Sequence, residues 1–229
     1  NPAYFRQEIS LVQAFDREIN NTTDHSDLGV PSMVFNRQEQ LVAENTINDL
    51  KNMQKRPKTV IFQPFGRGAK LDRDQVIDEE SRSLGQKDYL FLVRKLAQKY
   101  NMVFFGEPEF QLKQDTYAQK YTCDLRQWGA LIAEADYFIG CDSVGQHLAR
   151  AVGTPGSVIF GSTFPINTSY PDYFNCIDMG KIRKYSPIRI AGLDVSLSNR
   201  LNENAMNFSD VELNTIYNSI VADIERKTK

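Results

Sequence analysis

Three polar side chains lie around one predicted junction between a strand and a helix. Asp142 and Ser143 directly follow the apolar run 136–141. His147 comes one turn into the next amphipathic stretch. Residues that follow a strand of an open α/β sheet lie at its carboxyl edge, where such sheets bind ligands. Ser143 is a favourable N-cap residue, and the amino end of a helix attracts anions. The types and spacing of these residues therefore point to phosphate binding.

The same junction also has a purely structural interpretation. Gln146 stands three residues after Ser143 and completes a predicted capping box, which needs no ligand. If the helix binds phosphate instead, Val144 and Gly145 would present their amides, and Gly145 would let the ligand approach the backbone. His147 could donate to that phosphate or simply pack against the helix. Both interpretations stay open from the sequence.

A glycine-containing cationic turn follows an earlier apolar run. After "TVIFQ" (59–63) come Gly66, Arg67 and Lys70, and Arg82 is a further cationic candidate. Glycine permits close backbone approach, and Arg67 or Lys70 could neutralise the charge of a departing diphosphate. The spacing does not fit the Walker pattern GxxxxGK[ST]. An exposed basic loop is the alternative.

An acidic residue ends the next apolar run. Glu107 follows "MVFFG" (102–106), and Glu109 is its nearby competitor. Dinucleotide-binding folds use a carboxylate at this edge to bind ribose hydroxyls. A solvated turn carboxylate is the alternative.

The elements that would position these residues alternate along the chain. Short apolar runs alternate with amphipathic stretches, the runs at 59–63, 102–109, 136–141 and 156–161, the stretches at 87–100, 125–135 and 144–152. This alternation predicts an α/β protein with a Rossmann-like parallel sheet and flanking helices. A helical arm is predicted before it, and a carboxy-terminal extension after it ends in a helix from Ser209.

Composition excludes several classes of protein. The 229 residues are 41% hydrophobic with a formal net charge of -2, so no overall basic field favours nucleic acid. No apolar run approaches the ~20 residues that a membrane span needs. Three cysteines without a CxxC pair and two histidines argue against a zinc site and a disulfide framework. We expect a reducing, cytoplasmic location, with peripheral membrane association as a further expectation.

The stretch 135–165 resembles the donor-domain signature of glycosyltransferase family 9, the lipopolysaccharide heptosyltransferases. The matching residues are Asp142, Ser143, His147, Leu148, Ala149, Ala151, Gly153, Pro155, Gly161, Thr163 and Pro165. A weaker likeness covers "TVIFQPFGRGAK", "VFFGEPE" and "CDLRQWGALIAEAD". Two positions depart from the family. Val144 replaces the glycine of Asp-Ser-Gly, and the run from Gln63 to Gly66 replaces His-Pro-Gly.

The resemblance implies the carboxy-terminal, donor-binding half of a two-domain GT-B enzyme. Such a half binds a nucleotide-diphosphate sugar, with an ADP-linked sugar as one candidate, for transfer to a glycan or glycolipid hydroxyl without a metal. Arg67 or Lys70 would stabilise the leaving diphosphate, and Leu125 would border the nucleobase. The implied donor-binding residues are Gly66, Arg67, Lys70, Glu107, Leu125, Asp142, Ser143, Val144, Gly145 and His147.

The resemblance also implies that the general base lies outside this sequence, in an amino-terminal domain. Residues 1–57 resemble the connector from that domain, 58–165 the donor domain, and 166–229 the extension. Tyr170 and Tyr173 could line a sugar pocket, whereas Trp128 is expected in the core. Two alternatives stay open: a non-catalytic binding or assembly module with the same fold, and a sugar-nucleotide epimerase of related architecture.

Overall fold

The computed structural model describes residues 1–73, 75–78, 81–107, 110, 112–181 and 204–228. Eight helices lie within these ranges: α1 (Pro2–Phe5), α2 (Leu11–Asn20), α3 (Arg37–Gln54), α4 (Gln86–Leu96), α5 (Leu125–Glu134), α6 (Val144–Val152), α7 (Pro165–Thr168) and α8 (Asp210–Lys227). The same ranges contain eight strands: β1 (Thr59–Gln63), β2 (Ala69–Asp72), β3 (Gln75–Asp78), β4 (Asn101–Phe104), β5 (Ala118–Lys120), β6 (Tyr137–Cys141), β7 (Gly156–Phe160) and β8 (Asn175–Asp178).

Six of these strands form one parallel sheet in the order β5-β4-β1-β6-β7-β8. In its centre Ile61 lies opposite Val103 on one side and Phe138 on the other. Every residue of β1, β4, β6 and β7 is buried, as expected for strands covered on both faces. The chain runs outward from β1 in one direction and from β6 in the other, so the strand order reverses between them. This is the place where open α/β sheets form their ligand crevice.

Helices cover both faces of the sheet, and they come from all three predicted segments of the chain, 1–57, 58–165 and 166–229. On one face, Leu92 of α4 packs with Ile216 and Ile220 of α8. On the other, Leu50 of α3 packs with Ile132 of α5 and with α6. Within the described ranges, residues on both sides of positions 57 and 165 therefore share these two cores.

The predicted α/β class is confirmed, while several small elements were not predicted. The hairpin of β2 and β3 is mostly exposed and has at most two apolar residues in succession, so it has no apolar run to indicate it. The edge strands β5 and β8 have three and four residues. The predicted helical arm contains three helices, α1 to α3, and Ser10 starts α2 with its own capping box to Gln13. No helix in the described ranges is long and apolar enough to cross a membrane.

Candidate functional site

Three loops meet at the carboxyl edge of the central strands. They follow β1, β4 and β6 and line one cleft of roughly 1490 Å³, above the ~300–1,000 Å³ usual for small-molecule sites. The other walls come from parts of residues 4–31, 122–128 and 163–173. The cleft therefore opens where the reversal of strand order leaves a crevice.

The structure brings most of the predicted site residues together in this cleft. The lining set includes Gly66, Arg67, Glu107, Leu125, Asp142, Ser143, Val144 and His147. Lys70 is not among the lining residues, because it lies on β2 of the hairpin, where it is exposed. Gly145 is buried and does not line the cleft either. Glu109 lies outside the described residues.

The predicted capping box of α6 is wrong. Ser143 is the N-cap residue, but its side chain makes no capping hydrogen bond. Gln146 instead donates to Asp142 Oδ1 at 2.9 Å and to the Thr168 carbonyl at 3.2 Å, and accepts from Ser169 Oγ at 2.6 Å. Since the Gln146 side chain is fully buried between α6 and the segment after α7, it cannot turn back to the Ser143 amide.

Gln63 caps the helix in its place. Its side-chain oxygen accepts a hydrogen bond from the Gly145 amide at 2.9 Å, and its Nε2 donates to Ser143 Oγ at 3.3 Å. A Cβ built on Gly145 would clash with the Gln63 oxygen and lie 2.6 Å from the Phe138 ring. The glycine at 145 therefore serves packing, and its amide is bound by the protein rather than presented to a phosphate.

Asp142 braces the floor of the cleft. It is 6% exposed, and its two oxygens accept hydrogen bonds from Gln146 at 2.9 Å and from Thr163 Oγ1 at 2.8 Å. These contacts connect the end of β6 to the loop after β7. Because both oxygens are engaged in the turn, the bracing role is favoured over a direct sugar contact.

The loop after β1 lies against the N-terminus of α6. The Gly66 amide donates to Ser83 Oγ at 2.9 Å, and a Cβ built on Gly66 would lie 3.5 Å from Ser143 Oγ, an ordinary contact. Arg67 is exposed on this loop, and half-buried Arg82 lines the same cleft. Two guanidinium groups therefore lie on the side of the cleft formed by this loop and residues 81–83.

Aromatic and apolar residues form another side. Phe105 stacks on Trp128 with ring centroids 4.4 Å apart and planes inclined by 24°. Trp128 is 4% exposed and belongs to the core under the sheet, yet it also contributes to the cleft lining. Leu125 is 52% exposed at the start of α5, and Glu107 is exposed after β4. An apolar surface thus lies beside a carboxylate.

His147 contacts the loop after α7. Its Nδ1 lies 3.0 Å from the Tyr170 hydroxyl, and the two rings meet edge to face. Desolvation by the surrounding protein lowers the pKa of His147, and the Asp142 carboxylate only partly opposes this effect. The lowered pKa favours the neutral form of this exposed ring. Arg150, one turn further along α6, stacks its guanidinium 4.3 Å from the Tyr173 ring centroid.

The amino-terminal arm forms a wall that sequence reasoning missed. Residues 10–13 of this arm and His25 line the cleft. Asn167, 1% exposed, fixes the arm by donating from Nδ2 to the carbonyls of Tyr4 at 3.0 Å and Ile9 at 2.9 Å. The arm carries no motif for a ligand. The one available signal was His25 itself, since the chain has two histidines.

A metal-binding cluster is absent from the described ranges. No group of three or more His, Cys, Asp or Glu side chains there could hold a metal ion.

Comparison with known proteins finds a family model that matches the central part of the chain. The sequence model described as glycosyltransferase family 9 (heptosyltransferase) matches residues 86–178. The resemblance inferred from the sequence is thereby confirmed. No curated protein sequence matches the chain.

Two solved structures are similar in fold. One is E. coli ADP-heptose LPS heptosyltransferase II, with a TM-score of 0.57 and 14% identity, covering 87% of this chain and 55% of that one. The other is a family 9 glycosyltransferase from Veillonella parvula, with a TM-score of 0.52 and 11% identity, covering 85% and 54%. The chain thus spans about half the length of these proteins. The Rossmann-like half of a GT-B fold, predicted from the sequence, is confirmed.

Proposed function

We propose that the cleft binds a nucleotide-diphosphate sugar as the donor of a glycosyltransferase reaction. The observation that carries this proposal is the meeting of the loops after β1, β4 and β6 in one cleft at the reversal of strand order. Each loop contributes a different kind of group: Arg67 a cation, Glu107 a carboxylate, and Ser143 a hydroxyl at a helix N-terminus. The cation would suit the charge of a diphosphate, the carboxylate would suit the hydroxyls of a ribose, and the hydroxyl would give a second hydrogen bond to phosphate.

The diphosphate would lie between the loop after β1 and the start of α6. Ser143 Oγ accepts a hydrogen bond from Gln63, so its own hydroxyl hydrogen can point to a phosphate oxygen. Arg67 and Arg82 add positive charge, and the helix dipole of α6 acts in the same direction. When the sugar leaves, these groups would stabilise the charge that develops on the diphosphate.

The nucleoside would occupy the side formed by β4 and α5. Glu107 would accept hydrogen bonds from ribose hydroxyls, and Leu125 would cover one face of the base beside Phe105 and Trp128. The E. coli relative is named for ADP-heptose, so an ADP-linked sugar is the first donor to examine. The acceptor would be a hydroxyl of a glycan or glycolipid.

Calorimetric titration tests the proposal. We expect at least one of ADP, UDP and GDP to bind with a dissociation constant below 1 mM, equivalent to about −4 kcal/mol. The corresponding nucleoside should bind more weakly, because it lacks the diphosphate. Absence of heat for all three diphosphates up to millimolar concentration, with folded protein, would contradict the proposed function.

A further inference from the structure

We propose that Tyr170 is a positioning residue of the donor site, which holds His147 in the tautomer that carries its hydrogen on Nε2. In that form, Nε2 would donate a hydrogen bond to the diphosphate of the donor. The inference rests on the proposed function and adds to it a residue outside the stretch 135–165 that carries the family resemblance.

The contact between the two side chains is a direct hydrogen bond. The Tyr170 hydroxyl lies 3.0 Å from His147 Nδ1, and the ring centroids are 5.7 Å apart. Among the described residues, this hydroxyl has no other hydrogen-bond partner. Because an imidazole nitrogen is a stronger base than a phenol oxygen, the hydroxyl donates and Nδ1 accepts. A neutral ring that accepts at Nδ1 keeps its hydrogen on Nε2.

Both groups are held in the forms that this bond needs. Burial raises the pKa of Tyr170, and the Arg150 guanidinium, 5.9 Å from the ring centroid, opposes this effect only in part. Desolvation lowers the pKa of His147, and the Asp142 carboxylate opposes it only in part. The phenol therefore keeps its hydrogen, and the imidazole keeps the lone pair that accepts it.

Tyr170 is held beside α6 by contacts that do not involve the His147 ring. Ser169 Oγ donates to Gln146 Oε1 at 2.6 Å, and Gln146 Nε2 donates to the Thr168 carbonyl at 3.2 Å. The two residues before Tyr170 are thus bonded to the residue before His147. The protein therefore presents the Tyr170 hydroxyl to His147 whether or not a ligand is bound.

His147 lies close to the proposed diphosphate position. It follows the N-cap residue Ser143 by four residues, which is about one turn or ~6 Å along the helix axis. Long side chains of a helix lean toward its amino end, where the diphosphate would lie. His147 and Ser143 both line the cleft, and within the described part of the chain no partner is present at His147 Nε2. A hydrogen on Nε2 is therefore available to a phosphate oxygen.

Nitrogen NMR of the imidazoles tests the tautomer in the free protein. Two-bond ¹H–¹⁵N spectra should show the neutral His147 ring with its hydrogen on Nε2. Tyr170→Phe removes a hydrogen bond that favours the neutral imidazole, so we expect the pKa of His147 to rise. Tyr217→Phe, on α8 and outside the lining residues, should leave that pKa unchanged. A hydrogen on Nδ1, or a pKa that falls or stays the same in Tyr170→Phe, would overturn the inference.

Calorimetric titration tests the consequence for the ligand, with whichever of ADP, UDP and GDP binds most tightly. Tyr170→Phe should weaken binding by about 2- to 10-fold, the effect of one neutral hydrogen bond. In a His147→Ala background, the same substitution should have no further effect, because Tyr170 acts through His147. Chemical denaturation checks that each variant is folded.

The outcomes separate the inference from the proposed function. Equal losses of affinity in the two backgrounds would overturn the inference, because Tyr170 would then act without His147. Unchanged affinity in Tyr170→Phe would also overturn it and would leave donor binding intact. If the wild-type chain binds none of the three diphosphates, the proposed function and the diphosphate contact of His147 both fail.

Discussion

The side-chain oxygen of Gln63 accepts a hydrogen bond from the Gly145 amide at 2.9 Å, which joins the end of β1 to the first turn of α6. Both residues are buried. The contact links two positions at which the chain departs from the family signature: a glutamine replaces the histidine of the first loop, and the glycine moves from 144 to 145. The shifted glycine leaves the space that the Gln63 side chain occupies.

Gly145→Ala should destabilise the protein, although glycine to alanine in a helix usually stabilises it. The new Cβ would clash with Gln63 and lie 2.6 Å from the Phe138 ring, so we expect a loss of about 1–3 kcal/mol. Chemical denaturation measures it. Val144→Ala at the neighbouring, 39% exposed position is the control and should change stability by less than ~0.5 kcal/mol. If Gly145→Ala were more stable than wild type, the claim that Gln63 and Phe138 leave no room for a Cβ at residue 145 would be contradicted.

Gln63→Ala should also destabilise the protein, for a different reason. It leaves the buried Gly145 amide without its partner, which costs about 1–3 kcal/mol. The exposed Gln38→Ala on α3 should lie within ~0.5 kcal/mol of wild type. Equal stabilities of the two variants in urea would show that Gln63 does not cap α6.

These two residues also show where prediction from sequence ended. The capping boxes of Asp124 with Gln127 and of Ser209 with Glu212 are visible in the sequence and are present in the structure, because each forms within four residues. The cap of α6 comes from a residue 82 positions away, and no local pattern contains that information.

The central strands were predicted for a simple reason. Strands buried on both faces are continuous apolar runs, such as 59–63. The position of the amino-terminal arm beside the cleft could not be predicted in this way. It depends on hydrogen bonds from the distant Asn167 side chain to two backbone carbonyls of the arm. Likewise, the sequence made Arg67 and Lys70 equal candidates for binding the diphosphate. The structure distinguishes them, because Lys70 lies on β2 of the hairpin and does not line the cleft.

Arg67→Gln should weaken nucleoside diphosphate binding without changing stability. Arg67 is exposed and lines the cleft, and the loss of a hydrogen bond to a charged group costs about 1.5–3 kcal/mol, or roughly 10- to 150-fold in affinity. Lys70→Gln is the matched control and should bind like wild type. The calorimetric comparison would contradict the site if Lys70→Gln lost affinity and Arg67→Gln did not.

Glu107→Gln should reduce discrimination between a ribonucleotide and its 2′-deoxy form. The wild-type carboxylate would accept hydrogen bonds from ribose hydroxyls, so the best-bound diphosphate should lose affinity when it lacks the 2′-hydroxyl. In the variant, both forms should bind with similar affinity. Glu134→Gln, on α5 outside the lining residues, is the control. Undiminished discrimination in Glu107→Gln would assign the ribose to another residue.

His147 should titrate below the ordinary histidine pKa of 6.5, because the folded protein desolvates its ring. The unfolded chain then binds more protons in the interval between the lowered pKa and 6.5. His147 therefore favours folding above that interval, and this stabilisation decreases as the pH falls through it. Proton NMR of the two imidazoles, assigned with His147→Asn, measures the midpoint. A midpoint at or above 6.5 would contradict the desolvated position.

Amide NMR during nucleotide titration tests the central claim most directly, because it locates the ligand. The account predicts that ADP, UDP or GDP shifts the amide signals of residues 66–67, 106–107 and 143–144 together, with one saturation curve. The hairpin strands, Ala69–Asp72 and Gln75–Asp78, should shift far less. Saturable shifts confined to the hairpin or to the arm, with the three loops unchanged, would contradict the assignment of this cleft as the donor site.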